Sequence, residues 1–231
     1  SLNGKEKMKQ KTNNNSSNSS SPPMEGLGEA IIQVENLTKQ FGSFTAVKGI
    51  TFDVYKGEIF GFLGANGAGK TTAMKMLIGI SNPTSGKANV AGLDVATQAD
   101  LVKKSIGYMS QKFSLYDDLT IKENITFFGG IYGLSRKLIK EKTQQLITKL
   151  EMQDVANNLV GSLPLGWKQK LSFSVALLHE PKIVFLDEPT GGVDPITRRQ
   201  FWEMIYTQAY KGTTIFVTTH YMDEAEYCDR V

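Results

Sequence analysis

The stretch GANGAGKTT, Gly64 to Thr72, constrains this chain more than any other. It fits G-x-x-x-x-G-K-[ST], with Gly64, Gly69, Lys70 and Thr71 in the fixed positions. Such a loop has meaning only between a strand and a helix. Both flanks qualify: EIFGFLG reads as a short buried strand, and KTTAMKMLIGI has helical spacing. The residue types suit an anion. Backbone N–H groups from Asn66 through Gly67 and Ala68 to Thr72 can turn inward around phosphate oxygens, and the glycines let the backbone approach. A helix that starts near Lys70 aims its positive end at the same anion. The Lys70 ammonium can reach β and γ phosphates, and the Thr71 hydroxyl can ligand Mg2+.

The rest of the chain continues this pattern. AIIQVENLTKQF and GITFDVYKGE alternate apolar and polar residues, as half-buried strands do. SRKLIKEKTQQLITKLEM is helical, with Leu138, Ile139, Leu146, Ile147 and Leu150 on its apolar side. WKQKLSFSVALLHEP reads as a helix closed by Pro181, and TRRQFWEMIYTQAYKG as another. KIVFLDEP and TTIFVTTH are buried strands. Apolar strands alternating with helices predict an α/β fold with a largely parallel sheet. No internal repeat is present. The opening, residues 1–29, is dominated by Asn, Ser and Lys and reads as a disordered linker or tail. Its likeness to an interdomain linker suggests a piece of a longer protein. EAEYCDRV stops inside what reads as a helix-to-strand transition, which points to a truncated C-terminus.

IVFLDE places Asp187 and Glu188 at the carboxyl end of a buried strand, the sheet edge where ligands sit. Beside a phosphate loop, Asp187 is expected to hold Mg2+ through water and Glu188 to polarise an attacking water as general base. Composition narrows the alternatives. A net charge of +3 gives no argument for nucleic acid. The single cysteine, Cys228, excludes a disulfide scaffold and suits a reducing compartment. The polar, lysine-rich start does not read as a signal peptide. ITFFGGIYGL, the longest apolar run, is half of the roughly 20 residues needed to span a bilayer. The chain is expected to be soluble by itself, with any membrane role supplied by a partner.

The order of motifs resembles the ATP-binding subunits of ABC transporters over essentially all of residues 30–231: GANGAGKTT, YMSQKFSLYDDLTIKEN, LPLGWKQKLSFSVALLHEPKIVFLDEPTGGVDP and VTTHYMDEAEYCDR. The last two blocks look most like the exporter branch with permeases of the second ABC type, which includes drug-efflux ATPases. The resemblance implies a P-loop NTPase core with a mostly parallel sheet, an antiparallel β subdomain and an inserted α-helical subdomain at about 113–180. It also implies ATP and Mg2+ as cofactors, a second ATP-binding domain and integral membrane permease subunits as partners, and a peripheral place on the cytoplasmic face of the inner (plasma) membrane. Some members carry two such domains in one chain, which suits the linker-like opening.

Roles follow by position. Phe41 matches the aromatic that stacks on adenine, with Phe44 as a rival. Gln111 matches the glutamine that reaches Mg2+ and senses the membrane partner. His220 matches the switch histidine that contacts the γ phosphate and the attacking water. Lys70, Glu188 and His220 are the catalytic set; Thr71, Gln111 and Asp187 serve the metal. Gly166 matches the signature helix and Asp194 the loop that crosses to the other subunit, both acting in trans. His179 has no such role. Exposed-looking aromatics at Phe113 and Tyr116 suit docking of a permease helix. Two other readings carry less weight: a soluble ABC-class ATPase handling nucleic acid or ribosomes, and a nucleotide-binding regulator that does not hydrolyse. Only about 50 residues separate Gln111 from LPLGW, too few for the long coiled coils of DNA-repair members.

LPLGW departs from the usual LSGGQ at Pro164, Leu165 and Trp167. Pro164 has neither hydroxyl nor N–H, so one serine hydrogen bond to the γ phosphate is lost, about 1–3 kcal/mol. Proline fits a helix's first turn, and the N–H groups around Gly166, the helix dipole and the charges of Lys168 and Lys170 remain. Pro164→Ser is therefore expected to change ATP turnover at the partner's site by less than about tenfold. A rise of about a thousandfold in steady-state assays would show that Pro164 had silenced a site.

Overall fold

The computed structural model describes residues 28–112 and 114–231, so Phe113 and residues 1–27 of the Asn/Ser-rich opening lie outside the described residues. The chain begins with two long strands, β1 (Ala30–Phe41) and β2 (Phe44–Tyr55). They pair antiparallel from Ala30↔Tyr55 to Phe41↔Phe44. The sequence pattern predicts the second strand only from Gly49. β2 in fact starts at Phe44, because a bulge at Gly49 (φ +58) shifts the register and breaks the alternation. The strand β4 (Ser85–Val90) joins the other edge of β1, β5 (Leu93–Asp94) completes an antiparallel sheet of order β2-β1-β4-β5, and α2 (Ala99–Ser105) leads on to the second sheet.

The second sheet is parallel. It consists of β3 (Ile59–Leu63), β6 (Ile106–Met109), β7 (Ile183–Asp187) and β8 (Thr214–Thr219), in the order β3-β8-β7-β6. Both faces are covered, and the side chains sort by the twofold period of a strand. Phe185 and Phe216 point into a core shared with β1, β2, β4 and α1 (Lys70–Leu77), where Ile32, Leu37, Met74 and Leu77 pack. Val184, Leu186, Ile215 and Val217 point the other way, onto Phe173, Phe201, Trp202 and Ile205. The latter come from α5 (Leu165–Ala176) and α6 (Pro195–Tyr210).

Between β6 and β7 the chain leaves the sheets for α3 (Ile121–Ile131), α4 (Arg136–Lys149) and α5. Thr120 and Glu123 form a reciprocal capping box that starts α3. Ile121, Ile125, Ile147, Val160, Leu171 and Val175 make a third core there, separate from the two sheet cores. Helix α5 does not run to Pro181. It ends at Ala176, where Leu177 N–H turns back to Ser174 O. The carbonyl of Ala176 sits where a Cβ on Gly107 of β6 would be, 2.4 Å away, so the helix end abuts the sheet and must stop. His179 then bonds Ile106 O at 3.0 Å and stacks on Tyr132 at 3.8 Å; burial pushes its pKa down.

Phe216 sits at the centre of the sheet interface, with Phe60, Phe62, Phe185 and Phe52 all within 6.1 Å of its ring. Phe216→Ala is expected to cost about 3–5 kcal/mol, read as a fall in the urea midpoint without a change in slope.

Candidate functional site

The parallel strands end level with one another. Leu63 pairs with Thr219, Asp187 with Thr218 and Met109 with Leu186. The next residues of each strand therefore meet at one edge. β3 delivers the phosphate loop, β8 delivers His220, β7 delivers Asp187 and Glu188, and β6 delivers Gln111. Gln111, Glu188 and His220 line one cleft of about 460 Å3 together with Phe44, Ala46, Asn66, Gly67, Gly69, Lys70, Thr71 and Thr72, while the buried Asp187 lies behind Thr71.

Glu188 is the hub of this edge. Gln111 Nε2 donates to its Oε2 at 3.0 Å. Lys70 Nζ lies 3.4 Å from its Oε1. His220 Nδ1 lies 3.2 Å from Oε2 without the alignment of a hydrogen bond. The backbone of Glu188 is left-handed (φ +46), and its N–H donates to both the carbonyl and the hydroxyl of Thr218 at 3.0 Å. Lys70 is buried and folded over the loop, donating to Gly64 O at 2.6 Å and Ala65 O at 3.0 Å.

Asp187 is buried too, and its Oδ1 accepts from Thr218 Oγ1 at 2.6 Å and from Thr71 Oγ1 at 3.3 Å. This brings the two expected metal oxygens together. Nearby Tyr108 is kept a neutral phenol, since burial and the Asp187 carboxylate push it up to about 12.

The loop itself is shaped by β2. Gly69 caps α1 at φ +86, and a Cβ there would lie 2.3 Å from Ala46 O. Gly67 shares the left-handed backbone at φ +82 but faces open space. Ala68 lies within the loop, bonded from its N–H to Ala65 O at 3.1 Å.

Phe41, Gly166 and Asp194 stand apart from this cleft. Phe41 is paired with Phe44 across the hairpin and is not among the lining side chains; Lys39 Nζ sits 5.1 Å from its ring centroid. Phe44 takes the place beside the loop. Gly166 lies in the first turn of α5, where Pro164 is the N-cap without any side-chain cap bond. The N–H groups of Trp167 and Lys168 turn back to Pro164 O, whereas those of Leu165 and Gly166 have no partner among the described residues. Asp194 caps α6, accepting from Ile196 N and Thr197 N at 3.0 Å and from Thr197 Oγ1 at 2.5 Å. The Thr197 bonds hold its carboxyl below the usual range.

Phe44, the rival to Phe41 in the sequence, is the one that lines the cleft, whereas Thr218 and Ala46 carry no mark in the motifs. Thr218 was within reach: a hydroxyl residue two before His220, at the end of a buried strand, must find a partner. Ala46 acts through its backbone, which leaves no trace in residue type.

The chain matches the family model described as ABC transporter over residues 47–191. It belongs to the ABC transporter family. Among curated relatives it is 50% identical over 204 residues to the protein of Escherichia coli (strain K12) named "Probable multidrug ABC transporter ATP-binding protein YbhF", covering 88% of this chain and 35% of that protein. The "Nod factor export ATP-binding protein I" of Rhizobium sp. (strain N33) is 39% identical over 206 residues, covering 89% of this chain and 68% of the relative. A solved structure titled "Structure of ATP binding subunit of ABC transporter" superposes with a TM-score of 0.77 at 28% identity, over 87% of this chain and 85% of that one. The chain thus spans about a third of the length of the Escherichia coli relative it matches. It is an ABC-type ATP-binding domain, and its fold is the α/β fold of such domains.

Gly69→Ala and Gly67→Ala separate strain from collision. Both incur the left-handed penalty, about 1–2 kcal/mol, but only Gly69→Ala also drives a methyl into Ala46 O. Titration with a fluorescent ATP analogue is expected to show Gly67→Ala binding within about tenfold of wild type and Gly69→Ala weaker than that.

Proposed function

We propose that this ABC domain binds Mg-ATP in the cleft at the parallel-sheet edge, hydrolyses it, and pairs with a second ATP-binding domain to drive export through separate membrane permease subunits. The observation that carries this reading is the gathering of Lys70, Gln111 and His220 on Glu188, level with the phosphate loop.

The donor set fits the substrate and the ion. Lys70 gives up the Gly64 and Ala65 carbonyls for β and γ phosphate oxygens. The N–H groups of Asn66 to Thr72 cradle the same phosphates, with the N-terminus of α1 behind them. Mg2+ takes one or two protein oxygens plus phosphates and water, and the Thr71 hydroxyl and Asp187 carboxylate, 3.3 Å apart, would hold it, with Gln111 lining the same cleft as Thr71. When bound, the ion neutralises charge on the phosphates. Thr218 keeps Asp187 turned toward Thr71.

Glu188 accepts a proton from the attacking water as it is oriented in line with the γ phosphate, and His220 holds the water and a γ oxygen in place. The adenine ring stacks on the aromatic edge formed by Phe41 and Phe44. The open N–H groups of Leu165 and Gly166, with the dipole of α5, serve the nucleotide of the partner domain, and the Asp194 loop crosses to it. The name of the Rhizobium relative, which prints export, supports the exporter reading. Among the described residues no helix is long and apolar enough to cross a membrane. In this reading the permease supplies the path. The domain then sits on the cytoplasmic face of the membrane as a peripheral subunit.

Tyr116 is half exposed and packs edge-on against Phe127 at 4.9 Å, and this aromatic surface suits a permease's cytoplasmic helix. Turnover of Mg-ATP measured against protein concentration tests the central reading. The rate per molecule is expected to climb with concentration and to vanish in Glu188→Gln while ATP binding persists. Turnover that survives Glu188→Gln unchanged overturns it.

A further inference from the structure

Four residues beyond His220, in a 3-10 turn from Met222 to Tyr227, Glu224 carries a carboxylate with no access to solvent. Its Oε1 accepts from Thr190 Oγ1 at 2.5 Å and from Trp202 Nε1 at 3.4 Å. Arg198 Nε stands 3.8 Å from the same oxygen. Glu224 Oε2 and Arg198 Nε are both buried without a hydrogen-bond partner among the described residues. Burying a carboxylate is costly, and a half-satisfied ion pair is a poor source of stability compared with apolar packing.

The position of Glu224 offers another reason for its presence. Thr190, itself fully buried, lies two residues after Glu188 in the turn closed by Gly191 N–H on Glu188 O at 3.1 Å. On the other side, the guanidinium of Arg198 covers the ring of Tyr221 at 4.3 Å, and Tyr221 packs on His220 at 4.1 Å. Arg198 also reaches Asp223 at 3.6 Å. These contacts close a ring that runs from Glu188 through Thr190, Glu224, Arg198 and Tyr221 to His220. Neither Thr190 nor Glu224 lines the cleft.

We propose that Glu224 is a positioning residue for the pair Glu188 and His220. Its carboxylate ties the turn that carries the one to the segment that carries the other, through Thr190 on one side and Arg198 with Tyr221 on the other. The proposal rests on the reading of Glu188 and His220 as the hydrolytic pair. It also links α6, whose cap is Asp194, to the placement of His220, because Arg198 is one turn into that helix.

Thr190→Val tests this with little change of shape, Thr190→Ser restores the hydroxyl, and Glu224→Gln removes the charge. Two readouts are needed: steady-state kinetics with Mg-ATP, and NMR of the imidazole C–H signals, which are simple because the sequence holds only two histidines, His179 and His220. Thr190→Val and Glu224→Gln are expected to lower kcat by about tenfold or more with KM within about twofold of wild type. They should move the His220 signal and leave that of His179 in place, and Thr190→Ser should revert both effects. A Thr190→Val protein with wild-type kcat and an unmoved His220 signal overturns the proposal. So does a variant in which both histidine signals move together, which reports general loosening. If the wild-type domain fails to hydrolyse Mg-ATP under any condition, the reading of function fails, and the histidine spectra still decide whether Glu224 holds His220.

Discussion

Everything at the cleft depends on the level endings of four parallel strands. Neighbouring strands lie about 4.8 Å apart, so residues that follow four adjacent strand ends fall within reach of a single polyphosphate. The order β3-β8-β7-β6 puts the phosphate loop and the acidic pair on either side of His220, with Gln111 beyond. A one-residue slip of β7 would turn Asp187 away from Thr71 and Thr218, since side chains alternate along a strand. The apolar runs of β7 and β8 prevent that slip. Phe185 and Phe216 belong to one core while Val184, Leu186, Ile215 and Val217 belong to the other. The cores thereby set the register, and the register sets the chemistry.

The α5 terminus follows a different logic. Pro164 cannot cap with a side chain, yet its fixed backbone angle starts the helix cleanly, and the N–H groups of Leu165 and Gly166 are left without a partner among the described residues. A Cβ on Gly166 would come within 2.7 Å of the Thr197 methyl on α6, so that side chain would have to shift. The buried Gln169 holds the same helix to Pro189 O at 2.6 Å, next to Glu188. An apolar Leu165 and Trp167 at this edge, both partly exposed, replace polar contacts by surface that suits burial against another molecule.

Much of this was legible in the sequence, for particular reasons. β3, β7 and β8 are largely apolar runs beside residues whose chemistry is unmistakable, and α4 and α6 have strong helical spacing. The strands β4 and β6 escaped, being short and interrupted by Gly86 and Gly107. Those glycines answer to contacts with distant backbone, Asn36 O at 2.2 Å and Ala176 O at 2.4 Å from a hypothetical Cβ. The start of β2 was hidden by the bulge at Gly49. The end of α5 was set by its collision with β6 rather than by Pro181. In each case a tertiary contact made through backbone atoms decided the outcome, and residue type alone does not record such contacts.

The separate core of α3, α4 and α5 has a consequence for how the domain breathes. Its members, from Ile121 to Leu178, are close neighbours in the chain, whereas the sheet cores join residues as far apart as Ile31 and Phe216. A lobe stabilised by its own local packing can open as a cooperative unit while the sheets stay closed. Amide hydrogens in this lobe would then exchange together, at a lower free energy than those of β7 and β8, so the two halves of the domain would keep separate clocks.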